Sequence, residues 1–533
     1  MEEKEYAVVI KNADDFDEIH QLITSTYGDE YIPPRNISVA NYREFSDRIT
    51  HYFLTESEAN VLKNHPKISS VEIPPQLNDK VLFRKNYSVT SSFDFTANIS
   101  SNELNWGLAR CTNTDNPWIT YSPNTSITSN YNYMLTGKNV DIVILDSGIT
   151  PNNPEWEDSS GTSRLQQIDW YAASGVSGTL SQNHYLDYNG HGSHVAGIVA
   201  GKTQGWAKNS RIYSIKCSEL AGSEGGGIPI ANIFDIIRLW HINKPIDPTI
   251  RCKRPTVVNI AFTTLITDLN TDIPNEIFYQ GSKLFKNSNY STLDDIKTNY
   301  LWNGTLINGF YYTVYSSPTL NAEVEDLTKA GIHVVTASDN LDMVVDLPGG
   351  DFYNNTWGGY LDSYYCRGGF PTSPNAIVVG GLYFDEINIS DEKEDYSSYG
   401  AGVDVYAPGA NVISVSSKDN SGTNETVTNL SLTTVTQPAD SNYNFVKLSG
   451  TSVAASQVSG VLACLLEMNP NMSPSEAKKI ITTNAITGQM IDYSYQFQIH
   501  FGNDGILYNP FNVDRESTIS DGLELLNGVI NLS

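Results

Sequence analysis

The chain has 533 residues, 40% of them hydrophobic, which is enough for a large buried core and for two or three domains. Its 33 Lys and Arg stand against 60 Asp and Glu, a formal net charge of −27, which argues against nucleic-acid binding and for solubility. No apolar run approaches the roughly 20 residues needed to span a bilayer, so no membrane segment is expected.

The opening MEEKEYAVVIKNADDF lacks a basic start followed by an apolar stretch, so no secretory signal is expected. EYAVVIK alternates as a strand, DDFDEIHQLITST has helical spacing behind acidic residues, THYFLT is strand-like, ESEANVLKNHP is helical and ISSVEIP returns to strand. That order predicts a small α+β domain over residues 1–77. FRKNYSVTSSFDFTANISSNELNWGL is polar and rich in Ser and Asn, and reads as an exposed linker over 78–103. Cys111, Cys217, Cys252, Cys366 and Cys464 are odd in number and lack metal-ligand spacing, which argues against a disulfide framework and for a reducing assembly compartment.

The apolar run Val140–Leu145 reads as a buried parallel strand that delivers Asp146 at its C-terminal end, where crevices in open α/β sheets bind ligands. NGHGSHVAG places His191 at the start of a small-residue helix. Gly225-Gly226-Gly227 follows, and then the strand-like VVNIAF. Residues 264–319 are rich in Tyr and Asn without strong periodicity, and their aromatic content predicts an ordered wall. AGIHVVTASDN is a second buried strand running into a polar turn at Asp339-Asn340. Residues 417–444, rich in Ser, Thr and Asn, read as a surface excursion. LSGTSVAASQVSG then sets Ser452 at the start of a long apolar helix, where free amides and the helix dipole favour a developing negative charge.

A hydroxyl is a poor nucleophile at neutral pH unless a base takes its proton and a third group orients that base. Ser452, His191 and Asp146 supply those three groups in the order Asp, His, Ser, each beside glycines that let a substrate backbone approach. An esterase with the same groups on another hydrolase fold is disfavoured, because there Ser comes first, in a GxSxG setting.

The DSG at Asp146, the HGSHVAG at His191 and the GTSVAAS at Ser452 resemble the three signature blocks of subtilisin-like serine proteases, the subtilases, over roughly residues 104 to 490. The resemblance implies an α/β fold, a three-layer catalytic domain over 104–533 around a central mostly parallel sheet, and peptide-bond hydrolysis through an acyl-enzyme. It places the oxyanion donor at Asn340, whose backbone partner is the N–H of Ser452. It implies that an extended protein or peptide substrate adds as a strand along Gly225, Gly226 and Gly227 and along Ala261, Phe262 and Thr263, with Ala337, Ser338 and Asp339 beside it. Ala261-Phe262-Thr263 departs from the family's Ser-Leu-Gly, Asp339 from a common Gly, Val453 from Met and Ser456 from Pro.

FLTESEANVLKNHPKISSVEI resembles the family's inhibitory propeptide, which implies an intramolecular inhibitor cut away by self-processing between residues 78 and 104. The calcium loop that many subtilases insert after the catalytic His is missing from HVAGIVAGKTQGWAKNS. No cofactor or metal is required for the chemistry; calcium at another oxygen cage stays open. THYFLTESEANVLKNHP, GWAKNSRIYSIK and the large insertion after VVNIAF resemble subtilases encoded by marine tailed phages, which implies intracellular synthesis and virion association; the alternative is a bacterial intracellular or otherwise exported enzyme. The rival from another class is a virion structural or interaction protein that keeps a latent fold of this kind.

Overall fold

The computed structural model describes the chain except residues 1–2, 43–47, 74–86, 120–125, 219, 221–225, 269–272, 303–304, 308–309, 358–363, 418–432, 492–503 and 510–533. It divides into two compact units, Met1–Lys85 and Asn86–Ser533.

In the first unit the strands Glu3–Ile10, Val39–Tyr42, Ile49–Thr55 and Ile68–Glu72 form an antiparallel sheet with Glu3–Ile10 and Ile49–Thr55 at its centre. The helices Phe16–Ile23 and Glu56–Leu62 complete a βαββαβ order, the split βαβ arrangement. Alternation along Glu3–Ile10 buries Tyr6, Val8 and Ile10 against Ile19, Ile23 and Leu62 of the helices. The second helix starts sharply because Thr55 and Glu58 close a capping box.

The second unit is built on a nine-stranded sheet. Its central strands, in spatial order Ile377–Asp385, His333–Ala337, Thr256–Ile260, Asp141–Asp146 and Arg211–Lys216, are all parallel. One antiparallel neighbour, Ser390–Lys393, turns back from Ile377–Asp385. A parallel strand is covered on both faces, so its sequence is continuously apolar rather than alternating. Accordingly Ile142 and Ile144 pack with the helices His191–Ala200 and Thr451–Met468. Val143 and Leu145 pack on the other face with Ile230–Asn243 and Pro318–Lys329. These three layers are the α/β architecture expected from the motifs.

The helix Thr451–Met468 is apolar enough for a membrane by length and composition, but 94% of that window is buried. It is the core helix of this unit. A bidentate ion pair joins Arg110 to Asp391, with Nη2 2.9 Å from Oδ2, and both side chains are nearly sealed at 0% and 2% exposure. Removing one member strands a buried charge, so Asp391→Ala is expected to lower unfolding free energy by about 3–5 kcal/mol. Urea titration checks this.

One expectation needs correction. The segment read as a linker is in part core: Tyr87–Phe93 pairs antiparallel with Ile127–Tyr133 over seven residues and parallel with Glu103–Leu104. Its Ser and Thr suggested exposure, but Phe93 and Phe95 anchor it at 0% and 6% exposure. The large unit therefore begins at Asn86, not at residue 104. The stretch 264–319 does have regular structure, in elements too short to register as periodic. Leu265–Asp268, Phe310–Val314 and Thr305–Ile307 form one small sheet; Glu276–Tyr279, Ser282–Phe285 and Thr356–Trp357 form another. A separate core under them includes Ile277, Ile296 and the stacked pair Trp302 and Trp357, whose ring centroids are 3.5 Å apart. Of the excursion 417–444, residues 418–432 lie outside the described residues, while Thr434–Thr436 pairs with Asn444–Leu448, the strand leading to Ser452.

Candidate active site

Asp146 closes the strand Asp141–Asp146, His191 opens the helix His191–Ala200, and Ser452 is the second residue of the helix Thr451–Met468. Strand end and helix starts bring the three together, although His191 and Ser452 are 261 positions apart. His191 Nδ1 lies 2.9 Å from both carboxylate oxygens of Asp146, and His191 Nε2 lies 2.8 Å from Ser452 Oγ. The carboxylate and the hydroxyl are almost buried at 2% and 7% exposure, while the imidazole side chain between them is 31% exposed.

This relay orients an imidazole whose Nδ1 donates to the carboxylate, leaving Nε2 to take the proton of Ser452. Burial alone would lower the His191 pKa; the Asp146 carboxylate, with a smaller contribution from Asp187, outweighs it and holds the group above its ordinary value. A protonated imidazole cannot act as base. Any hydrolysis dependent on His191 is therefore expected to fall as pH drops through that raised pKa, and Asp146→Asn should move this acid limb downward. A kcat/KM–pH profile measures both. His194, in the same motif, behaves differently: burial pushes its pKa down to about 3, and Nε2 contacts the carbonyls of Val412 and Val446 at 3.0 and 3.2 Å. It is a neutral core histidine.

Glycines make the close approach possible. Gly148 has φ +120°, and a Cβ there would sit 2.5 Å from the carbonyl oxygen of Leu186. A Cβ on Gly192 would lie 2.1 Å from the carbonyl oxygen of Gly148. Gly192→Ala must therefore push the His191 helix away from the Asp146 turn, and a shift of about 1 Å costs on the order of 100-fold in rate. Steady-state kcat with circular dichroism as a fold check tests this.

The Asn340 amide is oriented by the nucleophile helix. Its Oδ1 accepts from Thr451 N at 2.9 Å and Thr451 Oγ1 at 2.8 Å, which leaves Nδ2 as the donor. That donor borders the nucleophile: a Cβ placed on Gly450 would lie 3.5 Å from Asn340 Nδ2 and 3.1 Å from Ser452 Oγ. Asn340 is exposed.

The model described as "Subtilase family" matches residues 137–505, more than half of the chain. The chain belongs to the subtilase family. It is 24% identical over 357 residues to the subtilase-type proteinase RRT12 of Saccharomyces cerevisiae, covering 66% of this chain and 49% of that protein. It is also 24% identical over 403 residues to the subtilisin-like serine protease pepC of Aspergillus niger, covering 73% and 53%. The chain thus spans about half the length of the curated relatives it matches. A solved structure titled as a cold adapted subtilisin-like serine proteinase aligns with 76% of this chain and 97% of its own, at 18% identity and a TM-score of 0.43.

Around the three principal groups, this subtilase places the expected substrate segments unevenly. Gly225 lies outside the described residues. Gly226 and Gly227 are half-buried, and the run continues into Ile228, whose N–H donates to the carbonyl of Lys216 at 2.8 Å. Gly226 is in a left-handed conformation at φ +101°. Ala261 and Thr263 are half-buried, whereas Phe262 joins the core at 9% exposure. Ala337, Ser338 and Asp339 are buried at 5%, 0% and 3%. Ser338 is engaged internally, its Oγ donating to the carbonyl of Ser398 at 3.1 Å.

Asp187 is the residue the motifs did not single out. Fully buried, it accepts from Ser147 Oγ at 2.9 Å, from the N–H of Gly190 at 2.7 Å, and from Ser193 N and Oγ at 2.8 and 2.6 Å. Ser147 Oγ in turn accepts the N–H of Gly192 at 3.0 Å. Asp187 thus binds the turn after Asp146 to the start of the His191 helix, and burial raises its own pKa. An Asp four residues before a His in a Gly-containing turn was the available signal; alone it reads as an ordinary turn former. Among the described residues no group of three or more His, Cys, Asp or Glu is placed to hold a metal.

Proposed function

We propose that this chain is a serine endopeptidase that hydrolyses peptide bonds through Ser452, His191 and Asp146, with Asn340 and the Ser452 N–H stabilising the oxyanion. The observation that carries the reading is the continuous relay from Asp146 through His191 to Ser452 at 2.9 and 2.8 Å, in a chain of the subtilase family. His191 takes the proton from Ser452 as Oγ attacks the peptide carbonyl, and returns it to the leaving amine; water then releases the acyl-enzyme by the same route reversed. Asp146 keeps the imidazole oriented and stabilises its charged form. The chemistry itself uses no cofactor. Truncating the oxyanion donor, Asn340→Ala, is expected to lower kcat by about 10²–10³-fold with little change in KM.

The substrate class is protein or peptide in extended form, bound along Gly225–Gly227 and Ala261–Thr263. The N-terminal unit serves as an intramolecular inhibitor of a self-processing zymogen, supported by its βαββαβ fold and the propeptide likeness of residues 53–73. The maturation cut falls between residues 78 and 86, because cleavage farther on would detach the strand Tyr87–Phe93 from its sheet. The phage-like segments support a virion-associated setting.

Expression of the wild type and Ser452→Ala, followed by chain length and cleavage of an unstructured protein, tests this reading. An N-terminally shortened, active wild type and an intact, inert variant are expected. Two full-length, inert proteins would favour a latent structural component.

A further inference from the structure

The turn that carries Asn340 is held by a residue with no part in proton transfer. Asp339 occupies the left-handed region at φ +76°, which few residues with a side chain enter, aspartate among the readiest of them. The holding contacts are specific. Its carboxylate Oδ2 accepts the N–H of Gly369 at 2.8 Å, and its carbonyl accepts the N–H of Ser398 at 3.1 Å. The Gly369 carbonyl faces the other way and accepts from Thr264 N and Thr264 Oγ1, both at 2.7 Å. Thr264 directly follows the segment Ala261–Thr263, and its carbonyl accepts the N–H of Tyr315, in the same insertion, at 2.9 Å.

One residue, Gly369, therefore has Asp339 on its N–H and Thr264 on its carbonyl. Glycine is required there, since a Cβ would lie 2.3 Å from the Thr264 carbonyl oxygen and 2.4 Å from Thr263 Oγ1. Asp339 is the last buried residue before the exposed Asn340, so it fixes the backbone from which the Asn340 amide reaches Thr451.

We infer that Asp339 is a positioning residue that fixes the backbone carrying the Asn340 amide relative to Thr264, the residue that follows the substrate segment Ala261–Thr263, through Gly369. This rests on the peptidase reading and deepens it. A glycine at 339 would adopt the same backbone without strain but would lack the carboxylate, leaving the Gly369 N–H without its acceptor. An asparagine would keep an oxygen in nearly the same place.

A double-mutant cycle on the full-length chain tests the inference, with steady-state kinetics on a peptide ester and thermal melting as readouts. Asp339→Gly is expected to lower kcat by about 10- to 100-fold with little change in KM, the cost of a small misplacement of a catalytic group. In the Asn340→Ala background the same substitution should change kcat less than about twofold, because the group it positions is already absent. Asp339→Asn is expected to restore most of the lost kcat. Equal losses in both backgrounds, a change confined to KM or to the melting temperature, or an Asp339→Asn variant no better than Asp339→Gly would overturn the role. An inert wild type would overturn the peptidase reading and the role with it; an active wild type with an additive cycle would overturn the role alone.

Discussion

Ser452→Ala is expected to lower kcat on the order of 10⁶-fold while leaving the melting temperature essentially unchanged. The substitution removes one oxygen, and that oxygen lies 2.8 Å from the base. The scaffold around it should stand. Residues Thr451–Glu467 are buried along the helix, and the Ser456 hydroxyl bonds to the backbone carbonyl of residue 452, which alanine retains. The oxyanion donors also remain, so some rate enhancement over water should persist. Active-site burst kinetics on an ester, with calorimetry on the same preparation, would read both quantities. A loss below tenfold would remove Ser452 from the role of nucleophile.

Asp146→Asn should produce the second largest loss, about 10⁴-fold in kcat with little change in KM. The reason lies in the proton inventory. Asp146 Oδ1 accepts the N–H of Ser147 at 2.7 Å as well as facing His191 Nδ1 at 2.9 Å. His191 Nδ1 is equally close to Oδ2, so an asparagine that keeps its oxygen on Ser147 sets its NH₂ 2.9 Å from the imidazole, where it competes to donate to Nδ1. Nδ1 must then accept, the ring proton moves to Nε2, and the nitrogen facing Ser452 can no longer take a proton. Steady-state kinetics over a range of pH would show the loss and the lowered acid limb together. An Asp146→Asn enzyme within tenfold of the wild type would show that the carboxylate does not set the tautomer.

What the sequence revealed and what it hid follow from how far apart the interacting groups lie. Asp146, His191 and Ser452 were legible because each sits inside a local pattern of apolar run, glycine and small-residue helix. The sheet was legible for the same reason, since parallel strands buried on both faces are continuous apolar runs. Asp187 was not, because its function comes from joining Ser147 to Ser193 across a turn, and no local periodicity records that. Tyr87–Phe93 was misread because its outward face is Ser and Thr, and the burial of Phe93 is decided by its pairing with Ile127 on a later strand. The insertion was partly legible: aromatic content correctly indicated order, yet the strand Glu276–Tyr279 finds one of its neighbours at Thr356–Trp357. Asp339 was visible as a departure from glycine, but its link to Gly369 and Thr264 exists only in the folded chain.

The central claim, that Asp146, His191 and Ser452 work as one activated nucleophile, is tested most directly by covalent labelling. The purified protein is incubated with a fluorophosphonate ester, digested and mapped by mass spectrometry. A single adduct on Ser452 is expected, formed at least about 10³-fold more slowly when His191 is replaced by Ala, because the activating base is then lost. Labelling on another serine, or labelling of Ser452 at an undiminished rate in His191→Ala, would contradict it.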